Sequence, residues 1–275
     1  MLRKRIIGVV TIRQGLVVQS FGYRKYLPVG DPLCVVENLD RWGVDEILLQ
    51  VIDRNGTHGM QGQVQGHSQG EGQAQGPDFD LLQQLAKAGI STPLCYCGGI
   101  RDENDATQVI KYGADRIAVD ALLHDDPDAV SKISLKLGAQ AVIAVMPVQN
   151  TEQGYQWFNY RSQQSTPVST SVIELLNNKH VSELMLVDVA NEGKKEAFDN
   201  CIISAFDQIT TPKILFGGIS EAHQFQAILS DDRVSAAACG NFLNYSEHAV
   251  QAIKAELDDI SIRFPGYQQG GGLCL

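Results

Sequence analysis

Eight short runs rich in β-branched residues alternate with longer amphipathic stretches, and this alternation limits the possible folds more than any other feature of the chain. The runs predict strands over residues 5–12, 46–52, 93–97, 116–119, 141–146, 183–187, 213–216 and 236–239. The stretches predict helices over residues 32–42, 79–88, 103–112, 127–137, 171–177, 221–229 and 246–257. Strands that alternate with helices pair in parallel through right-handed crossovers. Eight such units in roughly 250 residues predict a (β/α)8 barrel, a TIM barrel.

A doubly wound open sheet is the alternative fold, but the Gly-x-Gly-x-x-Gly turn that is typical after its first strand is missing. The two halves of the chain also resemble each other, since residues 43–47 and 180–184 each lead into a predicted strand. The first half is longer because of residues 58–76, in which six of 19 residues are Gly and six are Gln. Such a tract has no apolar face to bury. We therefore expect a single barrel domain over residues 1–275, built from two half-barrels, with a flexible insertion after the second strand.

The composition narrows the classes of function. The chain has 275 residues with 22 Lys and Arg against 32 Asp and Glu, which gives a formal net charge of −10. This balance argues against nucleic-acid binding, which depends on clustered positive charge. No run of about 18 apolar residues predicts a membrane span, and the basic start has no secretory cleavage site. Six cysteines scattered through apolar segments are typical of reduced thiols, so we expect a cytoplasmic protein.

Paired glycines follow two of the predicted strands, Gly98-Gly99 in the first half and Gly217-Gly218 in the second. In a barrel of this kind, ligands bind where the strands end, at the carboxyl face. Glycines let backbone N–H groups approach an anion closely, and a following helix start adds its positive dipole. With Gly240 and Asn241 after the last strand, the repeat predicts two phosphate cups and a ligand with phosphates at both ends. The alternative is that these glycines only form tight turns.

Charged residues stand at or near the first position of four predicted strands: Arg5, Glu46, Arg116 and Glu183. In a closed barrel these strand ends could converge at the amino-terminal face as a ring of two cations and two anions. The alternative is a set of ordinary surface ion pairs, which contribute little to stability.

Other candidate sites are weaker. Cys95 and Cys97 share one strand face, but two thiols without nearby histidines do not make a zinc site, and buried small side chains are expected. The histidines lack ligand spacing and are expected in loops and helices. Asp53 follows the second strand just before an Asn-Gly pair, which favours a turn, although the same position could direct its carboxylate into the pocket. We therefore expect no metal and no cofactor.

Several motifs recur in one known family: residues 1–7, 15–18, 29–32, 43–46, 98–100, 113–116 and 217–218. Together they resemble the cyclase subunit of imidazole glycerol phosphate synthase, the HisF family, over nearly the whole chain. The resemblance implies a (β/α)8 barrel that docks on a glutaminase subunit. Ammonia would enter at the amino-terminal face, pass a ring of charged residues, and react at the carboxyl face with a bisphosphorylated substrate.

The resemblance also implies roles for residues of this chain. Arg5, Glu46, Arg116 and Glu183 match the ammonia gate, with Arg116 where the family usually has Lys, which keeps the charge on a bulkier, forked group. Asp115 matches an acidic position at the interface with the partner. Gly98, Gly99, Gly217, Gly218 and Gly240 match the phosphate cups.

The chain departs from the family at the catalytic positions. The family uses two aspartates, at the ends of the first and fifth strands, as general acid and base, and here those positions are Thr11 and Pro147. Neither side chain exchanges a proton near neutral pH, and losing one such group typically costs about 10²–10⁴ in rate. Gln19 also replaces a lysine that contacts substrate in the family.

The combination of a retained gate and a lost acid–base pair predicts a HisF-like paralogue that takes ammonia from a HisH-like glutaminase. Such paralogues are associated with sugar amidation in bacterial surface-polysaccharide synthesis, beside a separate sugar amidotransferase. One alternative is a genuine cyclase, or lyase, of histidine biosynthesis that has recruited Asp53 or Asp188 as its acid. The other is a non-catalytic activator of the glutaminase. The ligand of the barrel would be a phosphorylated or sugar-type small molecule.

Overall fold

The structure, a computed structural model, describes residues 3–53, 76–245, 248–257 and 260–263. The predicted insertion over residues 58–76 lies outside the described residues, except for Gly76. The described strands are β1 Arg5–Arg13, β2 Leu16–Phe21, β3 Lys25–Gly30, β4 Glu46–Val51, β5 Leu94–Cys97, β6 Arg116–Val119, β7 Val142–Thr151, β8 Gly154–Asn159, β9 Gln164–Thr166, β10 Glu183–Asp188, β11 Lys213–Phe216 and β12 Val234–Cys239. The described helices are α1 Pro32–Trp42, α2 Phe79–Ala88, α3 Glu103–Lys111, α4 Ala121–Asp125, α5 Pro127–Leu137, α6 Thr170–Asn177, α7 Cys201–Ala205, α8 Ala222–Leu229 and α9 Ala249–Ala255.

Eight of the strands form a closed parallel barrel in the order β1, β4, β5, β6, β7, β10, β11 and β12. Closure is direct, because Arg5 at the start of β1 pairs in register with Ala236 of β12. The predicted (β/α)8 barrel is therefore confirmed, and an open doubly wound sheet is excluded by the β12–β1 pairing. Within the described residues, no helix is long and apolar enough to cross a membrane.

Local sequence signals explain where the helices begin and end. Helix α1 starts at Asp31, whose carboxylate accepts the Leu33 N–H at 2.9 Å, and Pro32 occupies the first turn, where no amide donor is needed. It ends at Gly43, which has the left-handed conformation with φ 80°. The predicted helices over 32–42, 79–88 and 127–137 have the observed bounds. The last helix was predicted over 246–257 but spans Ala249–Ala255, and residues 246–247 lie outside the described part.

Two antiparallel hairpins were not predicted from the sequence. The first, β2–β3, follows the first barrel strand, and the second, β8–β9, follows the fifth. The fifth strand was predicted over 141–146, but β7 continues to Thr151 because its second half pairs with β8. Each half-barrel thus begins with a strand and a hairpin, which extends the internal repeat seen in the sequence.

Apolar side chains fill the barrel between its two faces. A cluster of buried residues drawn from all eight barrel strands is separate from the larger cluster between the barrel and the helices. Side chains of a strand alternate between these two clusters. The inward-facing series on β6 is therefore Arg116, Ala118 and then Asp120 just after the strand. On β1 the corresponding series ends at Thr11, and on β7 it ends at Pro147.

Candidate functional site

The four charged strand-end residues meet in one ring at the amino-terminal end of the barrel. Arg5 Nη2 donates to both carboxylate oxygens of Glu183, at 2.6 and 2.7 Å. Arg116 bridges the two acids, because its Nη1 donates to Glu46 Oε1 at 3.0 Å and its Nη2 to Glu183 Oε2 at 2.7 Å. Arg5 Nε lies 3.4 Å from Glu46 Oε2 and closes the ring. The side chains of Glu46 and Glu183 are only 4% and 7% exposed, which distinguishes this cluster from ordinary surface ion pairs.

Burial and charge act on the two acids of the ring in opposite directions. Burial raises the pKa of Glu46 above its ordinary value, in spite of the two neighbouring arginines. Burial also acts to raise the pKa of Glu183, but Arg5, Arg116 and a hydrogen bond from Ser235 outweigh it, so the pKa of Glu183 is lowered. Arg116 has its pKa raised by the two carboxylates, against the effect of its burial.

Asp115 lies at the same end of the barrel, next to Arg116. It is exposed, and its carboxylate accepts the Leu94 N–H at 2.8 Å while its own N–H donates to the Leu94 carbonyl. These bonds fix the start of β6 against β5. Its predicted role at a partner interface remains a prediction that fits its exposed position.

The other end of the barrel contains no acid at either predicted catalytic position. The Thr11 hydroxyl lies 3.5 Å from Gln50 Oε1, and the same oxygen accepts the hydroxyl of Tyr23 at 3.1 Å. Pro147 is buried and pairs in register with Val187. Tyr23 is only 6% exposed and comes from the turn between β2 and β3, so this hairpin covers the mouth of the barrel above Thr11.

Buried polar groups hold that hairpin turn in place. Ser20 Oγ donates to Glu192 Oε2 at 2.9 Å, and the Tyr23 N–H donates to the same oxygen at 3.2 Å. Tyr23 itself has φ 52°, a left-handed conformation that costs a non-glycine residue about 1–3 kcal/mol. Asn241 was predicted to bind phosphate, but its side chain bonds both the N–H and the carbonyl of Ser20, at 3.2 and 2.7 Å. Both polar atoms of the Asn241 side chain are therefore already hydrogen-bonded within the chain.

The two glycine pairs occupy equivalent turns in the two halves. Gly98 has φ 139° and Gly217 has φ 108°. A Cβ on Gly217 would lie 2.5 Å from the carbonyl oxygen of Asp188, and one on Gly98 would contact the Val51 carbonyl oxygen in the same way. Both positions therefore need glycine for the turn itself, which the sequence analysis left open. A role in phosphate binding is not required to explain these positions.

One cavity of about 570 Å³ opens at the carboxyl face, above the ends of β4, β5 and β6. Its lining includes Gly98 and Gly99, but among the described residues it does not include Gly217, Gly218, Gly240 or Asn241. The second glycine of each pair packs against the chain, since a Cβ on Gly218 would lie 2.7 Å from the Phe198 nitrogen and one on Gly99 would lie 2.7 Å from the Gly76 carbonyl carbon. The shape of the cavity thus differs from the predicted ligand site with phosphates at both ends.

The cavity combines phenols, cations and one half-buried acid. The ring of Tyr23 meets that of Tyr160 edge to face, at 5.3 Å between centroids. Arg13 stacks over the ring of Tyr26 at 4.6 Å on the rim. Asp120, which no sequence signal had singled out, lines the cavity at the end of β6. Burial raises the pKa of Asp120 to about 7, with a smaller opposing effect of Arg161.

The two alternative acids have different surroundings. Asp53 is exposed at the rim of the cavity, and its carboxylate accepts the Gln14 N–H at 2.5 Å. The Asn-Gly pair on which the predicted turn rests lies outside the described residues. Asp188 is 1% exposed and accepts a hydrogen bond from the Asn191 side chain at 2.8 Å. Burial raises the pKa of Asp188, but its side chain is not part of the cavity lining.

The remaining candidates take structural positions. Cys95 and Cys97 are buried inside the barrel, and burial raises the pKa of both thiols, so they are protonated. In the described part of the chain, no group of three or more His, Cys, Asp or Glu side chains could hold a metal ion. His124 stacks on Trp157 at 3.6 Å between ring centroids, beside the cavity.

Comparison with known proteins relates this geometry to a family. The family model described as histidine biosynthesis protein matches residues 5–249. A Vibrio vulnificus (strain YJ016) protein whose name includes imidazole glycerol phosphate synthase subunit hisF2 is 25% identical over 259 residues, 94% of this chain and 89% of its own. A second protein of that strain, whose name includes hisF3, is 23% identical over 245 residues, 88% of each chain.

A further relative comes from Natranaerobius thermophilus and is named imidazole glycerol phosphate synthase subunit HisF. It is 23% identical over 261 residues, which are 94% of this chain and 97% of the relative. The match therefore extends over the whole barrel, including the strand starts that carry the ring and the strand ends where Thr11 and Pro147 lie. The chain belongs to the histidine biosynthesis protein family and is a divergent HisF-like member of it.

Proposed function

We propose that this chain receives ammonia from a HisH-like glutaminase at its amino-terminal face and conducts it through the barrel to an acceptor at the carboxyl face. The acceptor step would be sugar amidation in surface-polysaccharide synthesis, with a separate sugar amidotransferase as a further partner. The observation that carries the proposal is the closed ring of Arg5, Glu46, Arg116 and Glu183 at the floor of the barrel.

The barrel interior suits a small neutral molecule. Above the ring, the inward-facing side chains are apolar, and several are small, including Cys95, Ala118, Ala236 and Ala238. An ammonium ion would lose its hydration there without a charge partner, which is costly, whereas neutral ammonia would not carry that penalty. Ammonia that is made at a glutaminase docked on the ring would therefore reach the carboxyl face without passing through bulk water.

The mouth of the barrel argues against the cyclase reaction. That reaction needs an acid and a base, and the corresponding positions hold Thr11, bonded into the Gln50–Tyr23 cluster, and the buried Pro147. The hisF2 and hisF3 names in one Vibrio strain are consistent with HisF-like chains that exist as additional copies. A changed acceptor step is the simplest function for such a copy with an intact gate.

The test is co-purification of the full chain with a glutaminase encoded near its gene, followed by glutaminase assays with and without the barrel. We expect the barrel to stimulate glutamine hydrolysis, and we expect Arg116→Met to uncouple hydrolysis from delivery because the ring loses one bridging cation. A matched surface change, Arg41→Met, should leave both activities unchanged. Turnover of the bisphosphorylated histidine-pathway substrate at a normal rate would refute the proposal.

The same experiment separates the alternatives. A genuine cyclase that uses Asp53 or Asp188 would turn over that substrate and lose activity when either residue is changed to Asn. A pure activator of the glutaminase would stimulate hydrolysis but release all its ammonia to solvent, with none transferred to an acceptor.

A further inference from the structure

Asp120 lies directly above the gate on a single barrel strand. Strand β6 begins with Arg116 in the ring, places Ala118 inside the barrel, and brings Asp120 to the carboxyl end on the same face. At about 3.3 Å per residue, the four-residue separation spans about 13 Å. Ammonia that passes Arg116 and the small Ala118 side chain would therefore emerge next to Asp120.

The carboxyl group of Asp120 has no hydrogen-bond or ion-pair partner among the described residues. It lines the cavity and does not cap α4, although its backbone carbonyl accepts the Leu123 N–H at 3.0 Å. The nearby cation, Arg161, is paired with Asp125. Asp120 is half-buried at the wall of the cavity, so its carboxyl group is available to a ligand there.

The groups around Asp120 come from every element at this side of the mouth. The charge of Asp120 contributes to raising the pKa values of Tyr23 on the hairpin turn, Tyr160 after β8 and Cys97 on β5. These three side chains are neutral near pH 7, and Arg161 and Asp125 oppose each other. His124 also lines the cavity beside Arg161 and Asp125, and burial lowers its pKa, which favours the neutral imidazole. Asp120 is the carboxyl group of this lining whose pKa is raised to about 7.

We propose that Asp120 is the proton-transfer residue of this cavity and that the cavity takes a sugar-type ligand whose carbonyl oxygen hydrogen-bonds to Asp120. This inference rests on the proposed delivery of ammonia, and it places the acceptor step in this cavity instead of on a separate sugar amidotransferase. A sugar in its open-chain carbonyl form supplies the hydroxyl donors that the carboxyl group lacks, and its C–H groups can pack against Tyr23 and Tyr160. An acceptor of this kind reacts inside the barrel, at the carboxyl end of β6, the strand that begins with Arg116.

A single carboxyl group can complete the addition of ammonia to a carbonyl carbon. The nitrogen lone pair forms the new C–N bond while the π electrons of the carbonyl move to its oxygen, which takes the proton of Asp120. The carboxylate that remains then accepts the proton released by the nitrogen. The product is an amino alcohol, and Asp120 returns to its starting form without any oxidant, reductant or further reactant.

The first measurement is ligand binding to the full chain by isothermal titration calorimetry. The probes are fructose, glucose and their 6-phosphates. We expect at least one of them to bind saturably, Asp120→Ala to weaken its binding tenfold or more, and Asp120→Asn, which keeps a hydrogen-bonding group, to restore most of the affinity. Absence of saturable binding by all four probes would overturn the proposal.

The second measurement is nitrogen incorporation from [15N]ammonium chloride into the bound probe, with cyanoborohydride trapping and mass spectrometry. Asp120→Asn should lower the protein-dependent rate by about 10²–10⁴, while the exposed control Asp128→Asn should leave it unchanged. The wild-type rate should rise with pH as ammonium converts to free ammonia and level off above about pH 7, where Asp120 loses its proton, whereas the slower Asp120→Asn rate should continue to rise. An equal rate in wild type and Asp120→Asn, or a loss in Asp53→Asn alone, would overturn the proposal.

The outcomes of the binding and nitrogen-incorporation measurements are independent of the glutaminase test. Ammonium chloride supplies nitrogen without passing the gate. A failure of nitrogen incorporation therefore does not contradict stimulation of the glutaminase. Conversely, a barrel that binds no glutaminase can still show nitrogen incorporation that depends on Asp120.

Discussion

Replacing Asp120 by Asn should stabilise the folded chain at pH 8 and do so much less at pH 5. The residue is half-buried at the cavity, its carboxyl group has no hydrogen-bond partner among the described residues, and burial raises its pKa from 3.8 to about 7. Folding therefore disfavours the ionised form. A carboxyl group with a raised folded-state pKa destabilises the native state increasingly as pH rises from its unfolded value to its folded value.

The magnitude follows from the two pKa values. Linkage gives a cost of about 2 kcal/mol at pH 5, where only the unfolded chain is ionised to a large extent, and about 4 kcal/mol at pH 8. The difference between Asp120→Asn and wild type should therefore grow by roughly 2–3 kcal/mol between these two pH values. Asn keeps the volume and polarity of the side chain, so the change in packing cancels in this comparison.

Urea unfolding of both proteins at pH 5 and pH 8 measures the effect. The midpoint difference multiplied by a shared m-value gives the free-energy difference at each pH. Asp128→Asn, an exposed substitution of the same type, should show less than about 0.5 kcal/mol at either pH. A difference for Asp120→Asn that does not change with pH, or that is larger at pH 5, would show that Asp120 is ionised and stabilised in the fold.

Three further substitutions test the mouth of the barrel. Gly217→Ala should lower the free energy of unfolding in urea by about 3 kcal/mol, because φ is 108° and the new Cβ would lie 2.5 Å from a carbonyl oxygen. Gly138→Ala, with φ 88° and open space around its Cβ, should lower it by about 1 kcal/mol. Asn241→Ala should lower the free energy of unfolding by about 1–3 kcal/mol, since it removes two hydrogen bonds to the hairpin backbone. Glu192→Ala should speed tryptic cleavage after Arg24 about tenfold or more, because the turn loses two charge-assisted hydrogen bonds; an unchanged rate would show that the hairpin is held by other contacts.

The barrel could be predicted because its signals are local and repeated. Apolar runs of strand length, caps such as Asp31 and left-handed glycines such as Gly43 each specify one element. The hairpins could not be predicted in this way. Strand β3 exposes Leu27 and Val29 and contains Pro28, so it lacks the alternation that marks a half-buried strand, and its pairing with β2 depends on tertiary contacts.

In the candidate site, too, some features follow from local sequence signals and others depend on tertiary contacts. The ring was predictable because strand starts in a closed barrel converge, so Arg5 and Glu183 meet although 178 residues separate them. The roles of Glu192 and Asn241 depend on where the hairpin folds back, which no spacing in the sequence reveals. Asp120 could have been found from the period of two on β6, since Arg116 and Asp120 differ by four positions and must share a face.

The two half-barrels carry the same motifs, but among the described residues the cavity is lined by the glycine pair of the first half and not by that of the second. In the second half, residues 191–198 cover Gly218, and Glu192 together with Asn241 anchors the hairpin from the first half. These contacts are made by buried groups within the chain itself, so the mouth is half closed before any ligand arrives. Within the described residues, the cavity lies above β4, β5 and β6, and β6 is the strand that begins in the charged ring with Arg116. Under the proposed function, ammonia would follow that strand from the ring and meet its acceptor in this cavity.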